Sequence, residues 1–178
     1  DSVDDLAKLV QTPTYDKWNK QLEEKTGLTL LSFNWYQGAR NMLTKKPVAA
    51  PADLNGIRVR TIGQPLWIKT IEAMGAVPTP LAWAEVYPSI QLGVIDGAEA
   101  QPSAIRGAKL YEVVSNVTVT EHIYLMSGLI VSAKWLNALP DDLRQIVVEE
   151  ADKAGAGVLK SNVEQEDAIF AEIESHGV

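Results

Sequence analysis

Apolar and polar positions recur with a period that changes along the chain, and the changes mark the elements. Tyr15, Trp18 and Leu22 form a helical apolar stripe. Thr12 stands where an N-cap oxygen is needed, Pro13 suits the first turn and Gly27 follows the end, so a helix is expected over 13–26. Ser2, with Asp5 three residues on, predicts a capped helix before it. LTLLSFNW, Leu28 to Trp35, reads as a buried strand, and YQGARNMLTKKPV as a turn followed by a second extended piece. PADLNG is a loop, IRVRTI a strand, QPLWIKTIEAMG a short helix closed by Gly75, and AVPTPL an extended, proline-broken run. AEVYPSIQLG predicts a helix stopped at Gly93, VIDGAEAQP a short buried strand entering a loop, and SAIRGAKLYEV a helix. NVTVTEHIYLMSGLIVSA holds two strand-like runs. After LPDDL one long helix is expected, with Leu143, Ile146, Val147, Leu159, Val163, Ile169 and Ile173 on its apolar side. Alternation of this kind implies α/β architecture.

Composition narrows the class. The 178 residues suffice for one or two domains, and 46% hydrophobic content is that of a globular chain. A net charge of −7, with no basic cluster larger than Lys45-Lys46, argues against a nucleic-acid or anionic-membrane partner. Cysteine is absent, which excludes a disulfide scaffold, a thiol nucleophile and a cysteine metal site, and suits an oxidising compartment. The longest apolar stretch, Ile123 to Ala133, is too short to cross a bilayer. No signal peptide is visible and the chain starts at Asp1, so an N-terminal portion is expected to be missing.

Three features are candidates for chemistry. In NGIRVRT, Ile57 and Val59 point one way along a strand, and Arg58 and Arg60 the other. Either both arginines are solvated on an outer face, or one points into a cleft, where its planar fork would be an anion receptor. Arg40, preceded by the flexible QGA, is a second candidate donor. In GVIDGAE, Asp96 and Glu99 are either an acid–base pair or, as Asp-Gly favours, part of a turn with Gly97 at positive φ. His122 and His176 stand far apart, outside any metal-ligand spacing. No phosphate loop and no Gly-x-Ser-x-Gly elbow occurs, so catalysis has little support; an enzyme using Asp96 or Glu99 as general base is the alternative from another class.

PADLNGIRVRT, MGAVPTPLAWAEVYPSIQLGVIDGAEAQP, KLYEVVSNVTVTEHI and KWLNALPDDLRQIVVEEADKA together resemble the dicarboxylate-binding, DctP-type substrate-binding protein of tripartite ATP-independent periplasmic (TRAP) transporters. The motifs follow the family's order and spacing across nearly the whole chain. The resemblance implies a type II-like periplasmic binding fold, α/β, with two hinged lobes and a long lobe-spanning helix. It implies a first lobe at 1–37 and 126–165, incomplete because the chain is truncated at both ends, and a second at 38–125 and 166–178. It places the carboxylate salt bridge on Arg60, an auxiliary donor on Arg40, and a packing aromatic on Trp83. Glu99, Ala100 and Gln101 fall on the segment that contacts ligand or a bound cation, with Ala100 where the family often has Asn or Trp. Ser127 falls on a polar contact position, and Arg58 takes the solvated role. The resemblance therefore implies a non-enzymatic periplasmic receptor, its signal peptide removed, with no cofactor and no metal. Its expected partners are a small organic acid and the TRAP membrane permease subunits, without nucleic acid and without membrane insertion. The alternative is a ligand-sensing domain on the same scaffold, read by a signalling partner.

Overall fold

A computed structural model describes residue 5 and residues 8–178. The expected cap at Ser2 lies outside them. The chain forms a mixed α/β fold of two compact units, residues 1–38 with 124–165 and residues 39–123 with 166–178. One five-stranded sheet has the order β3-β2-β4-β1-β5, comprising β1 (Leu28–Thr44), β2 (Arg58–Thr61), β3 (Val77–Pro80), β4 (Gly97–Ala100) and β5 (Asn116–Ser132). The long strands β1 and β5 contribute residues to both units.

In the first unit, α1 (Pro13–Thr26) starts as its sequence dictates. Thr12 Oγ1 accepts from the Tyr15 N–H, Pro13 takes the first turn, and Gly27 at φ 70° closes the end. Its inward face is Tyr15, Asn19 and Leu22 rather than Tyr15, Trp18 and Leu22; Trp18 is exposed. Asn19 takes the inner position because its amide satisfies backbone: Oδ1 accepts from the Leu30 N–H at 2.9 Å, beside Thr29. After α5 (Ala133–Asn137), the long helix α6 (Asp141–Ser175) begins in this unit. Its buried line runs through Ala151 and Gly155, leaving Leu143, Ile146 and Val163 exposed, against expectation. The reason is steric. A methyl on Gly155 would lie 1.8 Å from Asn34 Oδ1, so the glycine lets the helix pack against the Asn34 side chain of β1, which a larger residue would have to displace.

The second unit carries the packed core. Leu43, Val86, Ile90, Ile95, Ala98, Ala100, Ile105, Ile169 and Ile173 cluster on one face of the sheet. Met42, Leu54, Val59, Ile71 and Ala76 cluster on the other. Helices α3 (Val86–Gln91) and α4 (Pro102–Gly107) and the end of α6 supply the first cluster, and α2 (Pro65–Ala73) the second. Successive residues Met42 and Leu43 serve opposite clusters, as strand alternation requires. Strand β2 is parallel to β3 and β4, and β4 is antiparallel to β1. Prolines 78 and 80 are tolerated because β3 is an edge strand.

Two expectations about strands are corrected. No turn interrupts the run after Trp35; β1 continues to Thr44 through Gly38 at φ 116°. The two runs expected within 116–133 are one strand, β5, with Glu121 at φ 44° inside it.

Candidate functional site

The strand registers decide where the charged side chains go. Arg60 pairs with Ala98, so it lies on the face of the first apolar cluster, as Arg58 does. Arg40 shares the opposite face with Met42, whose partner in register is Glu99. The two arginines meet beyond the carboxyl ends of parallel strands β2, β3 and β4. There a cavity of about 300 Å³ is lined by Arg40, Arg60, Ile62, Trp83, Gln101 and Ala104. The carboxyl ends of parallel strands are where open α/β sheets hold ligands, because the connecting segments diverge there and leave a crevice.

The three arginines of this region have different surroundings. Arg58 is outside the cavity: its guanidinium grips the Asp96 carboxylate at 2.8 and 2.9 Å and donates to the Gly93 carbonyl. Asp96 also accepts from the Arg58 backbone N–H, and the paired guanidinium is the leading cause that holds its carboxyl down at about 2. Arg40 is buried and committed. Nε and Nη2 donate to the Glu99 carboxylate, Nη2 to the Glu99 carbonyl, and Nη1 to Gln101 Oε1 at 2.8 Å. That uses all but one of its N–H donors. Its guanidinium also lies over the Trp67 ring, 4.9 Å from the centroid.

Arg60 has no such partner. It is 5% exposed, and its one protein hydrogen bond among the described residues runs from Nε to the Leu81 carbonyl at 3.0 Å. The guanidinium carbon sits 5.3 Å from the centre of the Trp83 ring. Burial pulls its pKa below the usual arginine value, Glu99 opposes that shift and Arg40 adds to it. An arginine stays charged regardless, so the cavity wall holds a cation whose terminal amino groups face no protein acceptor among the described residues. With Nε occupied, a carboxylate would be taken end-on, by the two Nη groups.

The remaining expected residues separate. Gln101 and Trp83 line the cavity with the two arginines. Glu99 does not; it is fully buried as the counter-ion of Arg40, and His122 Nε2 approaches it at 3.7 Å. Ala100 is also fully buried, in the first apolar cluster. Ser127 belongs to the other unit, where its hydroxyl donates to the Trp35 carbonyl and accepts from Gln37. Asp96 and Gly97 do not form the positive-φ turn that Asp-Gly suggests: Gly97 opens β4 and Asp96 serves Arg58. Both carboxylates proposed for a general base are therefore engaged by arginines, Asp96 by Arg58 and Glu99 by Arg40. Trp67, Ile62, Ala104 and the Leu81 carbonyl went unforeseen. Trp67 had a faint signal, an aromatic in the first turn of a short helix; a backbone carbonyl has none.

A second groove, of about 310 Å³, is apolar and has no charged side chain in its lining, which includes Val48, Pro51, Leu54 and Met74. Among the described residues, no three or more His, Asp or Glu side chains gather as metal ligands, and no helix is long and apolar enough to cross a membrane.

Comparison with known proteins shows the family. The C4-dicarboxylate-binding periplasmic protein DctP of Rhodobacter capsulatus is 34% identical over 170 residues, covering 93% of this chain and 50% of its own length. The chain spans about half the length of the curated relatives it matches. A TRAP periplasmic solute-binding protein from Escherichia fergusonii, in an apo open structure, is 48% identical with a TM-score of 0.88, covering 97% of this chain and 58% of that one. Another, from Actinobacillus succinogenes with bound L-galactonate, is 30% identical with a TM-score of 0.89, over 99% of this chain and 58% of that one. Such proteins bind solutes and are not enzymes. The DctP model, bacterial extracellular solute-binding protein, family 7, matches residues 1–178, and the chain belongs to that family.

Proposed function

We propose that this chain is part of a periplasmic receptor that captures a small organic acid on Arg60 and delivers it to the membrane subunits of a TRAP transporter. The observation that carries the reading is Arg60 itself, buried yet bonded, among the described residues, only through Nε, with its terminal amino groups on a cavity. A carboxylate accepting from both groups forms a charge-assisted, planar pair, roughly twice as strong as neutral hydrogen bonds. The plane fixes the acid's orientation, and Trp83 and Ile62 offer apolar surface to its carbon chain. Relatives support the class, since one is named for C4-dicarboxylates and another was crystallised with L-galactonate. In this reading the lobes of a hinged receptor, expected at 1–37 with 126–165 and 38–125 with 166–178, correspond to the two units at 1–38 with 124–165 and 39–123 with 166–178. Gly38 and Glu121 then supply the unusual backbone angles near the crossings.

Native mass spectrometry of the purified protein is the test, followed by thermal shift with the acid released and with its amide. The expected result is a bound species that stabilises the protein as the carboxylate and not as the amide. Equal stabilisation by the amide would refute a salt bridge, because a neutral amide cannot replace the anion at an arginine fork.

A further inference from the structure

We infer that Gln101 selects the ligand, so that the site takes a monoanionic acid bearing uncharged acceptor oxygens in preference to a dicarboxylate. The inference deepens the proposed function and rests on Arg60 as the carboxylate receptor.

The first support is the direction in which Gln101 must face. Its side-chain oxygen lies 2.8 Å from Arg40 Nη1. A guanidinium has donors only, so the amide oxygen, not the nitrogen, occupies that contact. The –NH₂ end then has no protein acceptor among the described residues, and Gln101 lines the cavity. The orientation is held from behind. Arg40 is fixed by the Glu99 carboxylate, the Glu99 carbonyl and the Trp67 ring, and is itself buried. Gln101 occupies the N-cap position of α4 and yet makes no side-chain cap bond. Its side chain is directed to Arg40 instead, which makes Arg40 a positioning residue for this amide.

The second support is charge. Arg40 and Arg60 both reach the cavity, but Glu99 offsets Arg40 completely, with two of its N–H groups on that carboxylate. One uncompensated cation remains, and it matches one carboxylate. The amide of Gln101 offers donors without charge, which suit a hydroxyl or carbonyl oxygen; a second carboxylate there would be an anion desolvated against a neutral partner. Buried donors left unpaired by a ligand lacking that oxygen are the usual source of strong rejection.

The test is calorimetric titration of the protein with three acids of the same chain length: L-galactonate, hexanoate and adipate. The readout is the ratio of affinities, which a merely structural defect would not move. Galactonate should bind at least tenfold tighter than either of the others. Gln101→Leu, which removes the donor, should bring the galactonate-to-hexanoate ratio close to one. Gln101→Glu should do the same while preserving the acceptor for Arg40, so a folding defect in the first variant does not decide the matter. An unchanged ratio in both variants, or adipate bound as tightly as galactonate, overturns the inference. An Arg60→Ala control separates the two readings: if it leaves affinities intact, the carboxylate receptor is wrong, and if it abolishes them while the ratio ignores Gln101, only the selectivity role is wrong. No binding of any of the three acids overturns both.

Discussion

Gly97→Ala is a single methyl placed where two strands leave no room. Gly97 opens β4 opposite Thr44 of β1, and an added Cβ would lie 2.1 Å from the Leu43 carbonyl oxygen. Its next contacts, the Leu43 carbonyl carbon and Thr44 Cγ2, are both at 3.2 Å. Ordinary contact begins at 3.4 Å, so the strands must part by more than an ångström locally. The obstruction is backbone, which has no rotamer to escape into. Overpacking of this size costs about 1–3 kcal/mol, and a ladder hydrogen bond stretched by the separation adds about 1 kcal/mol. Removing glycine from the unfolded chain returns about 0.4–1 kcal/mol. The net loss is then about 1–3 kcal/mol, which in urea lowers the unfolding midpoint by about 1 M at a slope of about 1–3 kcal/mol per molar. Equilibrium urea unfolding read by tryptophan fluorescence measures it, since Trp67 and Trp83 both lie in this unit. The same displacement acts on β4 two residues before Glu99, so Arg40 and Gln101 shift with it and acid affinity should fall. A midpoint unchanged or raised would refute the close approach and the register derived from it.

Other consequences are simpler to state. Asp96 has its carboxyl depressed from 3.8 to about 2 in the fold, so its ion pair with Arg58 contributes stability above the unfolded value that is lost as pH falls from about 4 to about 2; Asp96→Asn should flatten acid unfolding across that window. Glu166 has the opposite sign: burial, then the nearby Glu121 and Asp167 charges, raise its pKa, so its anion weakens the fold as pH rises above its ordinary value. Glu166→Gln should raise the melting temperature at pH 7 and have little effect at pH 4. Arg60→Met should leave the ligand-free protein as stable or more so, because it removes a buried cation without a counter-ion, while erasing stabilisation by acid; a large loss in the ligand-free melt would mean that Arg60 has a structural partner.

The sequence revealed elements better than faces. Thr12, Pro13 and Gly27 delimit α1 because capping is local chemistry. The face of α1 was misjudged at Trp18 and that of α6 at Leu143, Ile146 and Val163, because burial there is set by neighbours distant in sequence, such as Asn34 against Gly155. The alternation in NGIRVRT placed Arg58 and Arg60 on one face, yet could not say which has a counter-ion, since Asp96 enters from a separate strand connection. For the same reason Glu99 read as a ligand contact, whereas its registration opposite Met42 gives it to Arg40. What remained hidden in the sequence was the pairing of charges across strands, and that pairing singles out Arg60.

The most direct test of the account is a calorimetric comparison of Arg60→Met with Arg58→Met, using the acid that native mass spectrometry identifies. The two arginines share a strand face, but Arg58 is exposed and already holds the Asp96 carboxylate, whereas Arg60 is buried on the cavity with no carboxylate bonded to it among the described residues. Arg60→Met should lose about 3–5 kcal/mol of binding, a hundredfold or more. Arg58→Met should bind within about threefold of the unaltered protein, as expected for an exposed pair outside the cavity. Near-equal affinities for the two variants, or loss confined to Arg58→Met, would contradict it.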